Sequence, residues 1–153
     1  MVQIRNILIP VDFSENSQKA VEYGLFLARN HGAKVYMMHV ISQRVVDAIH
    51  ELSIKGYKGD FVEIMKNVRQ DREKEMRSLV ASSIADGLKI KFILKEGKVG
   101  TEIIDVAKEV KADLIVIGHQ GRTALSDVLL GSVARYVVNH AKCPVLVIPY
   151  KKD

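Results

Sequence analysis

The sequence predicts an open, doubly wound α/β fold, a five-stranded parallel sheet with helices on both faces. Three observations carry this. Strand-like and helix-like segments alternate along the chain. The runs Leu114-Ile115-Val116-Ile117 and Val145-Leu146-Val147-Ile148 are apolar at every position, so both faces of those strands are covered, as parallel strands under helices require. The 153 residues fit one domain of ordinary size, with 48% hydrophobic residues to fill its core.

The elements follow in order. Residues 3–10, QIRNILIP, form a first strand ended by Pro10, and Ser14 offers a helix N-cap. Ala20, Val21, Gly24, Leu27 and Ala28 recur at helical spacing, and His31-Gly32 closes that helix. Residues 34–40 form a second strand. Residues 41–59 are the least regular stretch, with a VVDAIHEL patch that reads either as a lid over a ligand or as an extra helix, the latter favoured. A long helix is expected over 60–86, ended by Asp86-Gly87, then a strand over 89–95 and a helix over 101–111. Residues 113–117 form the fourth strand. A helix over 133–141 turns Val133, Ala134, Val137, Val138 and Ala141 inward, and 144–149 form the fifth strand. No repeat, low-complexity segment or linker marks a second domain.

Composition excludes several classes. No apolar run is long enough to span a bilayer, and the first residues read as a strand rather than a signal peptide, so a cytoplasmic protein with no membrane partner is expected. Cys143 is the lone cysteine and reads as a core-edge residue. The net charge is +5, but Lys66, Arg69, Arg72, Lys74 and Arg77 interleave with Glu63, Asp71, Glu73 and Glu75. That mixing suits pairs along one helix, not a basic stripe, so no nucleic-acid partner is expected.

In open α/β sheets ligands settle beyond the carboxyl ends of the strands, where the winding reverses. Pro10, Val11, Asp12, Phe13 and Ser14 follow the first strand, and GHQGRTALSDVLLGS, residues 118–132, follows the fourth. Gly118, Gly121 and Gly131 lack Cβ atoms, so the backbone there can approach a ligand and take positive φ. Amides of Gly131, Ser132 and Val133, at a helix start, could hold a phosphate, with Arg122 as a cation. Tight turns and an ordinary serine cap remain the alternative. Asp12 reads as a ligand contact or a turn cap, with its position favouring the former. His39 reads as a satisfied core histidine, and His119 as touching phosphate or facing water. Walker A and GxGxxG loops are absent. His31, His50 and His140 lack metal-ligand spacing, so no protein metal site is expected. No nucleophile elbow or paired carboxylates adjoin the loop, and Asp127 reads as a solvated turn residue, so no catalytic residue is expected.

The spacing Gly118-x2-Gly121-x9-Gly131-Ser132, with ILIPVDFSENSQKA, MMHV, DLIVIGHQGRT and LLGSVARYVVNHAKCPVLVIP, resembles the universal stress protein superfamily across nearly the whole chain. The intact loop is similar to that of its ATP-binding branch. Many members carry a small residue or serine after the first loop glycine; here His119-Gln120 follow. The resemblance implies sheet order 3-2-1-4-5 and ATP or AMP as ligand, with Mg²⁺ carried in by ATP. Asp12 would bond the ribose beside the Pro10 backbone, Val40 would read adenine through its main chain, and Gly118 would lie against the ribose. Gly121, Arg122, Gly131, Ser132 and Val133 would hold the phosphates. It further implies that the last strand lies at a sheet edge, where an apolar run needs a partner; residues 144–149 of two copies would pair as a homodimer, bracketed by Pro144 and Pro149. The expected function is nucleotide-dependent regulation in stress response through unidentified protein partners. A slow ATPase or nucleotide hydrolase, and an interaction protein with a vestigial pocket, stay open as alternatives.

Overall fold

Capping residues set most element ends. The computed structural model describes residues 1–56, 59–80, 87–119 and 129–149. Strand β1 (Asn6–Pro10) stops at its proline, which cannot donate to a further ladder. Helix α1 (Glu15–His31) starts where Ser14 accepts the Ser17 amide and ends where Gly32 takes the left-handed φ of 63° that glycine adopts freely. Strand β2 (Lys34–Ser42) runs past the expected residue 40, and Ser42 caps helix α2 (Gln43–Ile54) by accepting the Val45 amide. The irregular stretch is thus the extra helix. Asp60 caps α3 (Phe61–Ser78). The helix expected over 60–86 ends there because Leu79 and Val80 turn onto the core; residues 81–86 lie outside the described residues. Strand β3 (Ile90–Gly97), helix α4 (Val99–Glu109), strand β4 (Leu114–Gly118), helix α5 (Ser132–His140) and strand β5 (Val145–Ile148) complete the order.

The five strands form one all-parallel sheet in the order β3-β2-β1-β4-β5. Alternation along each strand divides the core in two. Ile7, Ile9, Val35, Met37 and Val116 pack against α1 and α3, through Ala20, Val21, Leu25 and Met76. Leu8, Met38, Val40, Ile115 and Ile117 pack on the other face, against Ile103, Ile104 and Val106 of α4 and Val137 of α5. A smaller cluster around Ile41, Ile49 and Met65 seats α2 on α3. Gly24 lets α1 lie directly on the sheet: a Cβ there would come within 2.3 Å of Ile9 Cδ1.

The two sheet edges differ. Exposed Lys89 and Lys91 guard β3, and Arg69 reaches Glu96 at 2.8 Å. The β5 edge carries no charge. On α1, Gln18, Val21, Glu22 and Leu25 share a cleft with the end of α3, so Tyr23, 53% exposed, turns to the β5 side. On α5, Tyr136, Asn139 and His140 share a groove with α4, so Val138 turns to the β5 side too. Val138 was expected inside but is 45% exposed, because this nine-residue helix rests on the sheet through Ala134 and Val137. Among the described residues no helix is long and apolar enough to cross a membrane.

Candidate functional site

The winding reverses between β1 and β4. The chain leaves β1 toward the face of α1, and leaves β4 toward the face of α5. A crevice therefore opens at the carboxyl edge between the two strand ends.

Asp12 lies on one side of it. Its Oδ1 accepts the Ser14 amide at 3.0 Å and the Ser14 hydroxyl at 2.5 Å, while its own N–H donates to Ser17 Oγ at 3.3 Å. The carboxylate does order the turn, and that same contact fixes its direction. Among the described residues Oδ2 takes no partner. Ser14, legible beforehand as a helix cap, and Ser17, which the sequence did not single out, hold the carboxylate and its backbone in place. Phe13 then turns the chain with a φ of 67°, a left-handed conformation that costs a non-glycine residue about 1–2 kcal/mol. Packing offsets that cost: the ring lies 4.6 Å from the His39 ring, with the Arg72 guanidinium 6.0 Å from its centre. His39 Nδ1 donates to the Val11 carbonyl at 2.8 Å, the satisfied core histidine that was expected. Burial above all holds its pKa below the usual 6.5, against the pull of that hydrogen bond.

Pro10 is the last residue of β1, and the Met38 carbonyl accepts the next amide, Val11, at 2.8 Å. Carbonyls two residues apart point the same way along a strand. The Val40 carbonyl therefore points toward the β1 side, into space that β1 has already left. The Val40 side chain is buried on the α4–α5 face, so only its main chain is available to a ligand.

On the other side, Gly118 ends β4. A Cβ there would lie 2.9 Å from Asn16 Cβ and 3.1 Å from its backbone carbon, so the strand end packs directly on the first turn of α1. Close approach is the reason for this glycine, not the positive φ expected of the loop. His119 donates its N–H to the Ile148 carbonyl and accepts the Gly131 N–H on its own, each at 2.8 Å. The loop thus closes on itself, bringing Gly131 to the end of β4. Gly131 has φ −58° and ψ 154°, open to any residue, which corrects the expectation of positive φ. Its amide is spent on His119, which corrects its place among the phosphate donors. No side chain caps α5, whose first helical bond is Arg135 N–H to the Gly131 carbonyl at 2.9 Å. The amides of Ser132, Val133 and Ala134 precede that bond and point out of the helix end, where the helix dipole also favours an anion. Gly121 and Arg122 lie outside the described residues, as does Asp127.

His119 was left open between phosphate and water. Its Nδ1 is buried and, among the described residues, takes no hydrogen-bond partner. Cys143 is half-buried, with its thiol pKa raised by burial first and by Asp113 second. Among the described residues no group of three or more His, Cys, Asp or Glu side chains could hold a metal.

This architecture has known relatives. The model of the universal stress protein family matches residues 3–149. The universal stress protein MJ0531 of Methanocaldococcus jannaschii is 34% identical over 148 residues, covering 97% of this chain and 84% of its own. The MJ0577 protein of the same organism is 30% identical, and its solved structure covers 99% of this chain and all of its own with a TM-score of 0.83. A universal stress protein from Archaeoglobus fulgidus, solved in complex with dAMP, is 25% identical with a TM-score of 0.61, covering 97% of this chain and 99% of its own. With this strand order and a family match from end to end, the chain belongs to the universal stress protein family.

Proposed function

We propose that the chain binds ATP or AMP in the crevice between β1 and β4 and acts in stress response through nucleotide-dependent contacts with other proteins. One feature supports this reading most: among the described residues, polar groups of three kinds without a partner follow the β1 end, the β2 end and the turn into α5. They are the Asp12 Oδ2, the Val40 carbonyl and the amides of Ser132 and Val133. They match a nucleotide part by part. The carboxylate accepts ribose hydroxyls beside Pro10, the carbonyl accepts the adenine amino group, and the helix end takes phosphate. The Gly118 backbone would lie against the ribose, and Gly131 brings the helix end to the strand. Gly121 and Arg122 complete the phosphate loop, and Mg²⁺ would enter with ATP, held mainly by phosphates and water. The dAMP complex of the Archaeoglobus relative supports an adenine nucleotide as the ligand class.

Mass spectrometry of the purified, then denatured, protein should release AMP or ATP, and calorimetry of stripped protein should show binding. Asp12→Asn keeps the acceptor for Ser14 but removes the charge, so the turn survives. We expect it to weaken ATP binding by roughly 10–100-fold, the worth of a charge-assisted hydrogen bond. A stripped protein that takes up neither nucleotide refutes the reading.

A further inference from the structure

We propose that the groove between α4 and α5 takes an acidic peptide segment of a partner protein. This gives a chemistry to the protein contacts proposed above, at a surface that shares no residue with the nucleotide crevice. The groove holds about 380 Å³, a size usual for ligand sites. On α4, Thr101, Asp105 and Lys108 follow one another at spacings of one helical turn and form one wall. On α5, Tyr136 and His140 form the other, with Lys142 just beyond the helix end. The Tyr136 ring is held in place from two elements. A Cβ at Gly100 would stand 2.5 Å from its Cδ1, so the first turn of α4 packs directly on it. The His140 ring stacks on it with centres 4.0 Å apart. His140 Nδ1 donates to the Tyr136 carbonyl at 2.8 Å, which leaves Nε2 to meet a ligand. The aromatic pair is therefore ordered beforehand, and docking on it costs little side-chain freedom.

The charges select the partner. Elsewhere exposed charges pair, as Lys55 does with Glu51, Arg69 with Glu96 and Arg77 with Glu73. Among the described residues Asp105, Lys108 and Lys142 have no ion-pair partner, although they line one groove. Two cations share it with a single carboxylate, and the Thr101 and Tyr136 hydroxyls and His140 Nε2 add donors. An acidic segment complements that excess, and Asp105 can accept one of its backbone N–H groups. A nucleic-acid backbone would need a run of cations and would meet Asp105 as a like charge.

Fluorescein-labelled hexaglutamate, hexaglutamine and an oligothymidylate of equal length test this on the full chain. Anisotropy should show hexaglutamate bound and hexaglutamine free, with NMR amide shifts at Thr101, Asp105, Lys108 and His140. The double variant Lys108→Glu, Lys142→Glu should weaken hexaglutamate by roughly 10-fold. The pair Lys89→Glu, Lys91→Glu, exposed on the β3 edge, changes the net charge equally and should bind as the parent does. Failure of hexaglutamate to bind overturns the proposal. So does an equal loss in both double variants, which would mark diffuse attraction to a basic chain. Oligothymidylate held by Lys108 and Lys142 as tightly as hexaglutamate overturns it in favour of nucleic acid. ATP calorimetry on the same proteins keeps the nucleotide reading separate, since each of these outcomes leaves it standing.

Discussion

Asp12, Phe13 and His39 show how a candidate binding residue is set by its neighbours. The left-handed turn at Phe13 aims the chain from β1 into α1, and the His39 ring behind it is held by Val11. That arrangement makes stability depend on acid. The folded pKa of His39 is lowered, so between it and the unfolded value near 6.5 the unfolded chain binds more protons. The contribution is complete above about pH 6.5 and is lost as pH falls toward the folded value. Arg72 adds to the lowering, while Asp12 and Glu75 oppose it. Melting temperatures measured from pH 8 to 5 should therefore drop on the acid side, and His39→Gln should flatten that drop. Parallel curves for the two proteins would assign the acid sensitivity elsewhere. A core histidine at residue 39 was legible from its apolar strand. The turn at Phe13 was not: glycine announces positive φ, whereas a phenylalanine forced into it by packing leaves no local signal.

Strands and first helices were legible because short-range chemistry fixes them. Pro10 stops β1, Ser14 and Gly32 bound α1, and two-sided apolar runs mark β4 and β5. Tertiary contacts decided what the sequence left between two readings or drew too long. Helix α2 depends on Ile49 reaching Met65 across the hairpin, and α3 ends early because Leu79 and Val80 pack inward. The two described glycines of the loop have other reasons than the positive φ expected of them. Gly118 is needed for its contact with Asn16, and Gly131 occupies an N-cap position without capping. The start of α5 therefore serves two ends at once, and one substitution should set them against each other. Gly131→Asp fits the observed φ and ψ and supplies a cap, which should stabilise the fold by a few tenths of a kcal/mol. The same carboxylate would stand where phosphate belongs, and ATP affinity should fall by at least about 10-fold. Undiminished ATP binding in a stabilised variant would move the phosphate away from α5.

Across the whole molecule, the unequal sheet edges predict how copies meet. The Ile115 and His119 amides donate to the Pro144 and Ile148 carbonyls, so the even-numbered residues of β5 face β4. Val145 and Val147 then turn their N–H and C=O groups outward, between Tyr23 on one face and Val138 on the other. We expect a homodimer in which two β5 strands pair antiparallel about a two-fold axis. Val147→Pro removes one outward donor without touching the β4 ladder. Sedimentation at micromolar concentration should find the parent a dimer and this variant a monomer; a monomeric parent ends the idea. Exposed Lys89 and Lys91 give the other edge the opposite character. In the terms of polymer chemistry, a chain that pairs in this way would be a monofunctional unit. Pairing would consume its single reactive edge and leave none to react again. Raising the concentration should therefore yield more pairs and not longer ones, with the sheet stopping at ten strands.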